Sequence, residues 1–298
     1  MKVLPELGIG IDLGGTQAKG VLVTQDGVVR RQVVMPFDGG EAASWKAAVE
    51  AIAIELRTAA AGQPYTLGLS APGLPDAHNT CIRWMPGRLE GLEGLVWAEL
   101  LGEDRVPVIN DAHAALMAEH QFGAGKGCRH LVLLTLGTGV GGGLLIEGQL
   151  FQGMGNRAGH LGHTSLDHQG ITGITGLPGT LEEAFGNESV SRRTSGRFQT
   201  TLALVQAYLE GDTFGTWCWL DSVRKLAIGI AGFCNTFSPE KIILSGGIAQ
   251  AGEALLRPLQ TFLDVYEWRP GGLQVPVTIA HFQEYAGALG AAAYGMRA

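Results

Sequence analysis

Cysteine is sparse in this chain of 298 residues. Cys81, Cys128, Cys218 and Cys234 form no C-x-x-C pair and no dense framework, which predicts reduced thiols in a cytoplasm and not a disulfide-stapled secreted fold. Charge is also low, at 16% of residues, and no Lys/Arg cluster stands out against a net charge of −7. Without a basic face to replace counterions, nucleic acid is not an expected partner. No apolar run is long enough to span a bilayer, so no membrane association is expected. The start, MKVLPELGIGIDLGG, lacks a charged region followed by an apolar core and a small-residue cleavage site, so export is not expected either. The G-x-x-x-x-G-K-[ST] phosphate loop is missing: GAGKGC (Gly123–Cys128) has no Ser or Thr after its Lys.

Glycine, by contrast, is abundant. Its 46 residues are about twice the usual share, gathered in discrete clusters between apolar segments. That distribution points to loops that bind a ligand. Periodicity predicts strands at Gly8–Asp12, Ala18–Thr24 and Val28–Pro36, then a helix over Ala42–Ala61 with Trp45, Val49, Ile52 and Leu56 at helical spacing. Thr66–Ser70 and Val106–Asn110 read as strands and Ala112–Phe122 as a helix. The pattern then restarts, with strands at His130–Leu136, Leu144–Glu147, Lys241–Ser245 and Gln274–Ala280, and helices at Leu202–Glu210, Ser222–Phe237 and Ala286–Met296. LGGTQAKGVLV (Leu13–Val23) aligns without a gap on LGTGVGGGLLI (Leu136–Ile146). Each joins two apolar strands through a glycine turn, which predicts an α/β protein of two related lobes facing each other across a cleft. The boundary is expected near Asp111–Gly125: a first lobe of residues 1–115 rejoined by a closing helix at 284–298, and a second of residues 116–283.

Backbone N–H groups in glycine-rich turns can cradle phosphate oxygens. Two such turns, each with a threonine donor (Thr16, Thr138), suit a nucleotide's polyphosphate. Gly137-x-Gly139-x-x-Gly142 also matches the dinucleotide fingerprint, but that motif must open a helix, and here it runs into the β-like GLLIEGQL. Asp12, directly before the first turn, is placed to anchor Mg²⁺ or its water shell; a turn-forming Asp satisfied by local N–H groups is the alternative. In VINDAHAALMAEH (Val108–His120), Asp111 lies between a strand and a helix. Two roles are open to it, helix N-cap and general base for a hydroxyl that attacks phosphorus, with Asn110 orienting the acceptor.

Six elements in order, DLGGT (Asp12–Thr16), SAPGLPD (Ser70–Asp76), NDAHAALMAE (Asn110–Glu119), LGTGVGGG (Leu136–Gly143), AGHLGH (Ala158–His163) and ILSGGI (Ile243–Ile248), make the chain resemble the ROK family of sugar kinases, within the actin/hexokinase/Hsp70-like superfamily. The resemblance spans nearly the whole chain. It implies an α/β fold of two related lobes with ribonuclease H-like, actin-like ATPase architecture, binding Mg-ATP and a hexose in the cleft. Asp12 (also the Mg²⁺ anchor), Gly14, Gly15, Thr16 and Lys19 would meet the phosphates, as would Gly137, Thr138 and Gly139. Ser245, Gly246 and Gly247 would lie against the adenosine. Asp111 would be the general base. Gly73, Asn110, His160, His163 and Glu182 would form the sugar site. A homodimer is the family's default. The N-terminal helix-turn-helix of ROK repressors is not expected, because the first phosphate motif begins at residue 12.

The departures are specific. The family usually reads AG-E-x-GH, and His160 stands at the Glu, replacing a pure acceptor with a group that can donate. Gly173, Thr175 and Thr180 occupy the three cysteine positions of the family's zinc module C-G-C-G-x-x-G-C. With no thiolate near, and only Asp167 to complete His160, His163 and His168, no zinc is expected. Gly87 stands where a sugar-contacting Asn is common. The expected activity is therefore an ATP-dependent kinase for a hexose or hexose-like sugar of altered specificity. The alternatives are a sugar- or nucleotide-responsive binding protein that has lost catalysis and, more weakly, a polyphosphate-dependent kinase, for which the chain lacks a basic track.

Overall fold

The computed structural model describes residues 5–87, 89–173 and 175–298; Arg88 of the MPGR segment lies outside them. The chain begins with strands β1 (Leu7–Leu13), β2 (Gln17–Thr24) and β3 (Val29–Pro36), helix α1 (Ala42–Ala59) and strand β4 (Tyr65–Ala71). Short elements follow, β5 (Leu74–Pro75), β6 (Ile82–Trp84) and α2 (Trp97–Leu101), then β7 (Val108–Asn110) and α3 (Asp111–Phe122). Next come β8 (Leu131–Leu136), β9 (Val140–Ile146), β10 (Gln149–Leu150), α4 (Leu181–Phe185), α5 (Val190–Arg193), α6 (Thr201–Leu209), α7 (Thr213–Phe237), β11 (Lys241–Ser245), α8 (Glu253–Tyr266) and β12 (Val277–Ile279). Helix α9 (Ala286–Gly295) closes the chain. Contacts divide it into two compact units: residues 1–127, 152–158 and 281–298 form the first, and 128–151 and 159–280 the second. Among the described residues, no helix is long and apolar enough to cross a membrane.

Each unit is built on a five-stranded sheet, ordered β3-β2-β1-β4-β7 in the first and β10-β9-β8-β11-β12 in the second. In both, an antiparallel three-strand meander is extended by two parallel strands. The two glycine turns occupy equivalent hairpins, but not at equal length. Leu13 pairs with Ala18 across four residues, whereas Leu136 pairs with Val140 across three. The gap-free alignment of the two segments therefore slips by one residue after the turn. In a pleated strand that shift exchanges the two faces.

Helix α1 covers one face of the first sheet. Its Trp45, Val49, Ile52 and Leu56 are fully buried, at about 1.5–3 kcal/mol per side chain removed from water, and the Trp45 indole donates to Glu90 O (3.1 Å). Helices α3 and α9 cover the other face, where Val21 and Val23 meet Ala118, Ala288 and Ala292. Here the packing is backbone against backbone. A methyl group on Gly10 of β1 would sit 2.6 Å from Ala292 N and overlap Ala288 O, and one on Gly68 of β4 would overlap Ala291 O.

In the second unit, α7 lays Trp219, Val223, Leu226 and Ile230 among buried side chains of β8 and β11. Helix α7 begins nine residues before the expected Ser222, where the Asp212 side chain accepts from Gly215 N (2.6 Å) as an N-cap. Helix α8 was not expected at all. Its Leu255, Leu259 and Leu263 are buried at helical spacing, but Pro258 lies inside it, removing the N–H that would bond Ala254 O. The Trp219 indole N–H donates to that carbonyl instead (2.9 Å).

Gly10→Ala should lower unfolding stability by about 3 kcal/mol, because backbone cannot move aside for the methyl. Gly232→Ala, at an exposed position of α7 with nothing near the added carbon, should raise it by about 0.5–1 kcal/mol. Urea unfolding of the two variants checks the opposite signs; a harmless Gly10→Ala would refute the close approach of α9.

Candidate active site

In the first unit, Asp12 is the penultimate residue of β1, and the parallel neighbour β4 brings Ser70 into register beside it. Ser70 is fully buried and Asp12 partly so. From the far side, Gly287 near the start of α9 packs directly on the Asp12 carboxylate; a methyl there would be 2.5 Å from both oxygens. Burial raises the Asp12 pKa from 3.8 to about 6, against the pull of the Ser70 hydroxyl, with Asp111 adding to the rise and Lys19 opposing it. A partly buried carboxylate next to a glycine turn is a hard oxygen donor of the kind a divalent cation takes.

Asp111 is solvent-exposed at the first position of α3. The cap is not Asp111 but Asn110, whose Oδ1 accepts from Ala112 N (3.0 Å) while its Nδ2 donates to Gly73 O (3.0 Å). Asp111 Oδ1 also accepts from Ala112 N (2.9 Å). Asn110 and Gly73 are thus brought together. Asp12 pairs with Ser70 of β4 and Asn110 with the next residue of that strand, Ala71, so Asp12 and Asp111 lie at the same end of one sheet. In the turn after Asp12, Gly14 N donates to Gln17 O (3.0 Å), and Gly15 and Thr16 are exposed. Lys19 points to the segment before α9, with its Nζ 3.1 Å from Glu284 O, 3.2 Å from Glu284 Oε1 and over the Tyr285 ring.

The second unit groups the remaining residues. Gly246, after Ser245, lies against the end of β8; a methyl there would be 2.9 Å from the Leu136 carbonyl carbon. This sets the Ser245–Gly247 segment next to the Gly137–Gly139 turn. That turn is backed by residues the sequence reading did not single out: Asn187 N donates to Gly137 O and Glu188 N to Thr138 O (both 2.9 Å). No motif marks them, since only their main chain is used. Glu182 Oε2 accepts from Val140 N (3.0 Å), so this side chain braces the hairpin.

His160 and His163 stack with ring centroids 6.2 Å apart and planes within 6°. Their loop joins Glu182 through Leu181 N donating to Thr164 O (2.9 Å). His168 is exposed. Of the three residues expected at the cysteine positions of a zinc module, Thr180 caps α4, its Oγ1 accepting from Glu183 N (3.2 Å), and Gly173 N donates to Leu177 O (3.0 Å).

A family model described as ROK family matches residues 8–297. The chain is 30% identical to a glucokinase of Thermotoga maritima, over 95% of each sequence. Its structure resembles a ROK hexokinase from Thermus thermophilus (TM-score 0.86, 29% identity, 97% of each chain). It also resembles a ROK family glucokinase from Streptomyces griseus in complex with glucose and AMPPNP (TM-score 0.76, 25% identity, 98% of this chain and 100% of that one).

A folded-state pKa above the unfolded value means that the charged Asp12 opposes folding. Below about pH 4 both states are protonated and nothing is lost; as pH rises from 3.8 to about 6, about 3 kcal/mol of stability disappears. Asp12→Asn should therefore match the wild type in melting temperature near pH 4 and exceed it increasingly up to pH 6–7, with metal and nucleotide omitted. A gain independent of pH would refute the assignment.

Proposed function

The chain belongs to the ROK family, and from that premise we propose that it is an ATP-dependent sugar kinase. It transfers the γ-phosphate to a hydroxyl of a hexose or hexose-like sugar. One observation carries the reading: the exposed Asp111 and the partly buried Asp12 lie at the same end of the first sheet, Asp12 paired with Ser70 of β4 and Asn110 with Ala71. Phosphoryl transfer needs one carboxylate to take a proton and another to hold the cation that accompanies the phosphates.

Asp111 would accept the sugar hydroxyl proton as that oxygen attacks the γ-phosphorus and ADP leaves. Asn110, fixed by its bonds to Ala112 N and Gly73 O, would orient the acceptor. Asp12 would hold Mg²⁺ through its carboxylate or a bound water; the cation, when bound with the nucleotide, supplies charge neutralisation at the phosphates. The N–H groups of Gly14, Gly15 and Thr16 in the first unit and of Gly137, Thr138 and Gly139 in the second would meet phosphate oxygens. Ser245–Gly247 would lie against the adenosine. His160, His163 and Glu182 would read the sugar, with His160 supplying a donor at the position where a glutamate was expected.

With ATP and Mg²⁺, the protein should turn over at least one member of a broad sugar and polyol panel. Asp111→Asn should lower kcat by about 10²–10⁴-fold and leave sugar binding by calorimetry nearly unchanged. Tight sugar binding with no turnover by the wild type across the panel would replace the kinase with a sugar-responsive binding protein.

A further inference from the structure

The chain passes between the two units at four peptide bonds, 127–128, 151–152, 158–159 and 280–281. Within the first unit, the ends of these connections converge on α3. Glu119, on that helix, is fully buried. Its Oε2 accepts from Ala124 N and its Oε1 from Phe282 N, both at 2.7 Å. Its main-chain carbonyl accepts from Gly123 N (3.1 Å) and Gly125 N (3.0 Å). One residue therefore receives N–H groups from the segment leading out at Gly127 and from the segment returning at His281. On the same helix His113, fully buried, holds its Nε2 3.0 Å from Ala158 O. Ala158 is the last residue of the 152–158 excursion, and its N–H donates to Gln152 O (2.9 Å), which ties the excursion's first residue to its last.

A glutamate is almost never fully buried unless it is paired, and hydrogen bonds to a carboxylate are among the strong ones. A helix C-terminus needs only its own carbonyls satisfied; it gains nothing from reaching Phe282, 163 residues away. We infer that Glu119 is a positioning residue. It fixes residues 123–125 and 282 to the helix that carries Asp111, so that this carboxylate and the points where the chain leaves the first unit move as one body. Gly123 is part of the device, since a methyl there would lie 2.9 Å from Glu119 Cδ and overlap an oxygen. The effect on turnover rests on the kinase reading; the effect on the connections does not.

The test uses the full chain with Glu119→Gln and Gly123→Ala. A carboxamide has one acceptor oxygen, so one of the two N–H groups must face an NH₂; the added methyl displaces the carboxylate while leaving its charge. Hydrogen exchange should show about tenfold loss of protection in peptides covering 123–125 or 282, with β1 and β4 unchanged. On the folded enzyme, kcat should fall about tenfold or more while sugar KM stays within about twofold. Unchanged protection in both variants would overturn the inference. So would loss of protection spread evenly over the first unit, which marks a merely structural role, or local loss with kcat intact. If the wild type turns over no sugar, the kinase reading has failed, and the exchange pattern alone decides whether Glu119 is the anchor.

Discussion

The first unit depends on one steric constraint: α9 rests its backbone directly on β1 and β4. Helices usually stand off a sheet by the length of their side chains, and the glycines at positions 10 and 68 remove that spacing. Two consequences reach the site. The start of α9 comes down onto the Asp12 carboxylate, excluding water from one side of it. Helix α3, which packs on α9 with Gly290 against Ala114, is drawn toward β1, and Asp111 comes within electrostatic range of Asp12. Larger residues at these contacts would separate the two carboxylates as well as destabilise the core.

Much of this was legible in the sequence because it is written in local patterns. The spacing of Trp45, Val49, Ile52 and Leu56 announces a helix with one buried face, and all four are buried. The two glycine turns announce equivalent hairpins, and the two sheets do share one strand order. What was not legible depends on partners distant in the chain. Helix α8 carries a proline that locally argues against it, and the compensating donor is Trp219, 35 residues earlier. The one-residue difference between the turns leaves no trace in composition. The cap of α3 fell to Asn110 rather than Asp111 because Asn110 bonds Gly73 O as well as Ala112 N, and the first of those contacts spans 37 residues.

The two carboxylates of the first unit are alike in sequence context, each at a strand's end before a turn or helix, yet their surroundings separate them. Asp12 sits between Ser70 and α9, where burial disfavours its charge. Asp111 is exposed at a helix N-terminus, where the backbone N–H groups favour negative charge and water can carry a proton away. Environment is what can fit one residue type to two different tasks. The roles proposed for the pair follow that division and not the motif alone.

In the second unit the equivalent economy falls on Glu182. A carboxylate has two oxygens and about four acceptor sites; bonding Val140 N uses one of them. The same side chain can therefore brace the Gly137–Gly139 hairpin and still present acceptors to a sugar hydroxyl. Its neighbour Leu181 is tied through Thr164 O to the loop of His160 and His163, so the phosphate turn and the histidine loop share one support. Thr180 caps α4, Leu166 N donates to Gly179 O (2.8 Å) and Gly179 N to Ile171 O (2.9 Å). The loop's geometry is carried by hydrogen bonds of its own backbone and by the Thr180 cap of α4, the same helix that places Glu182.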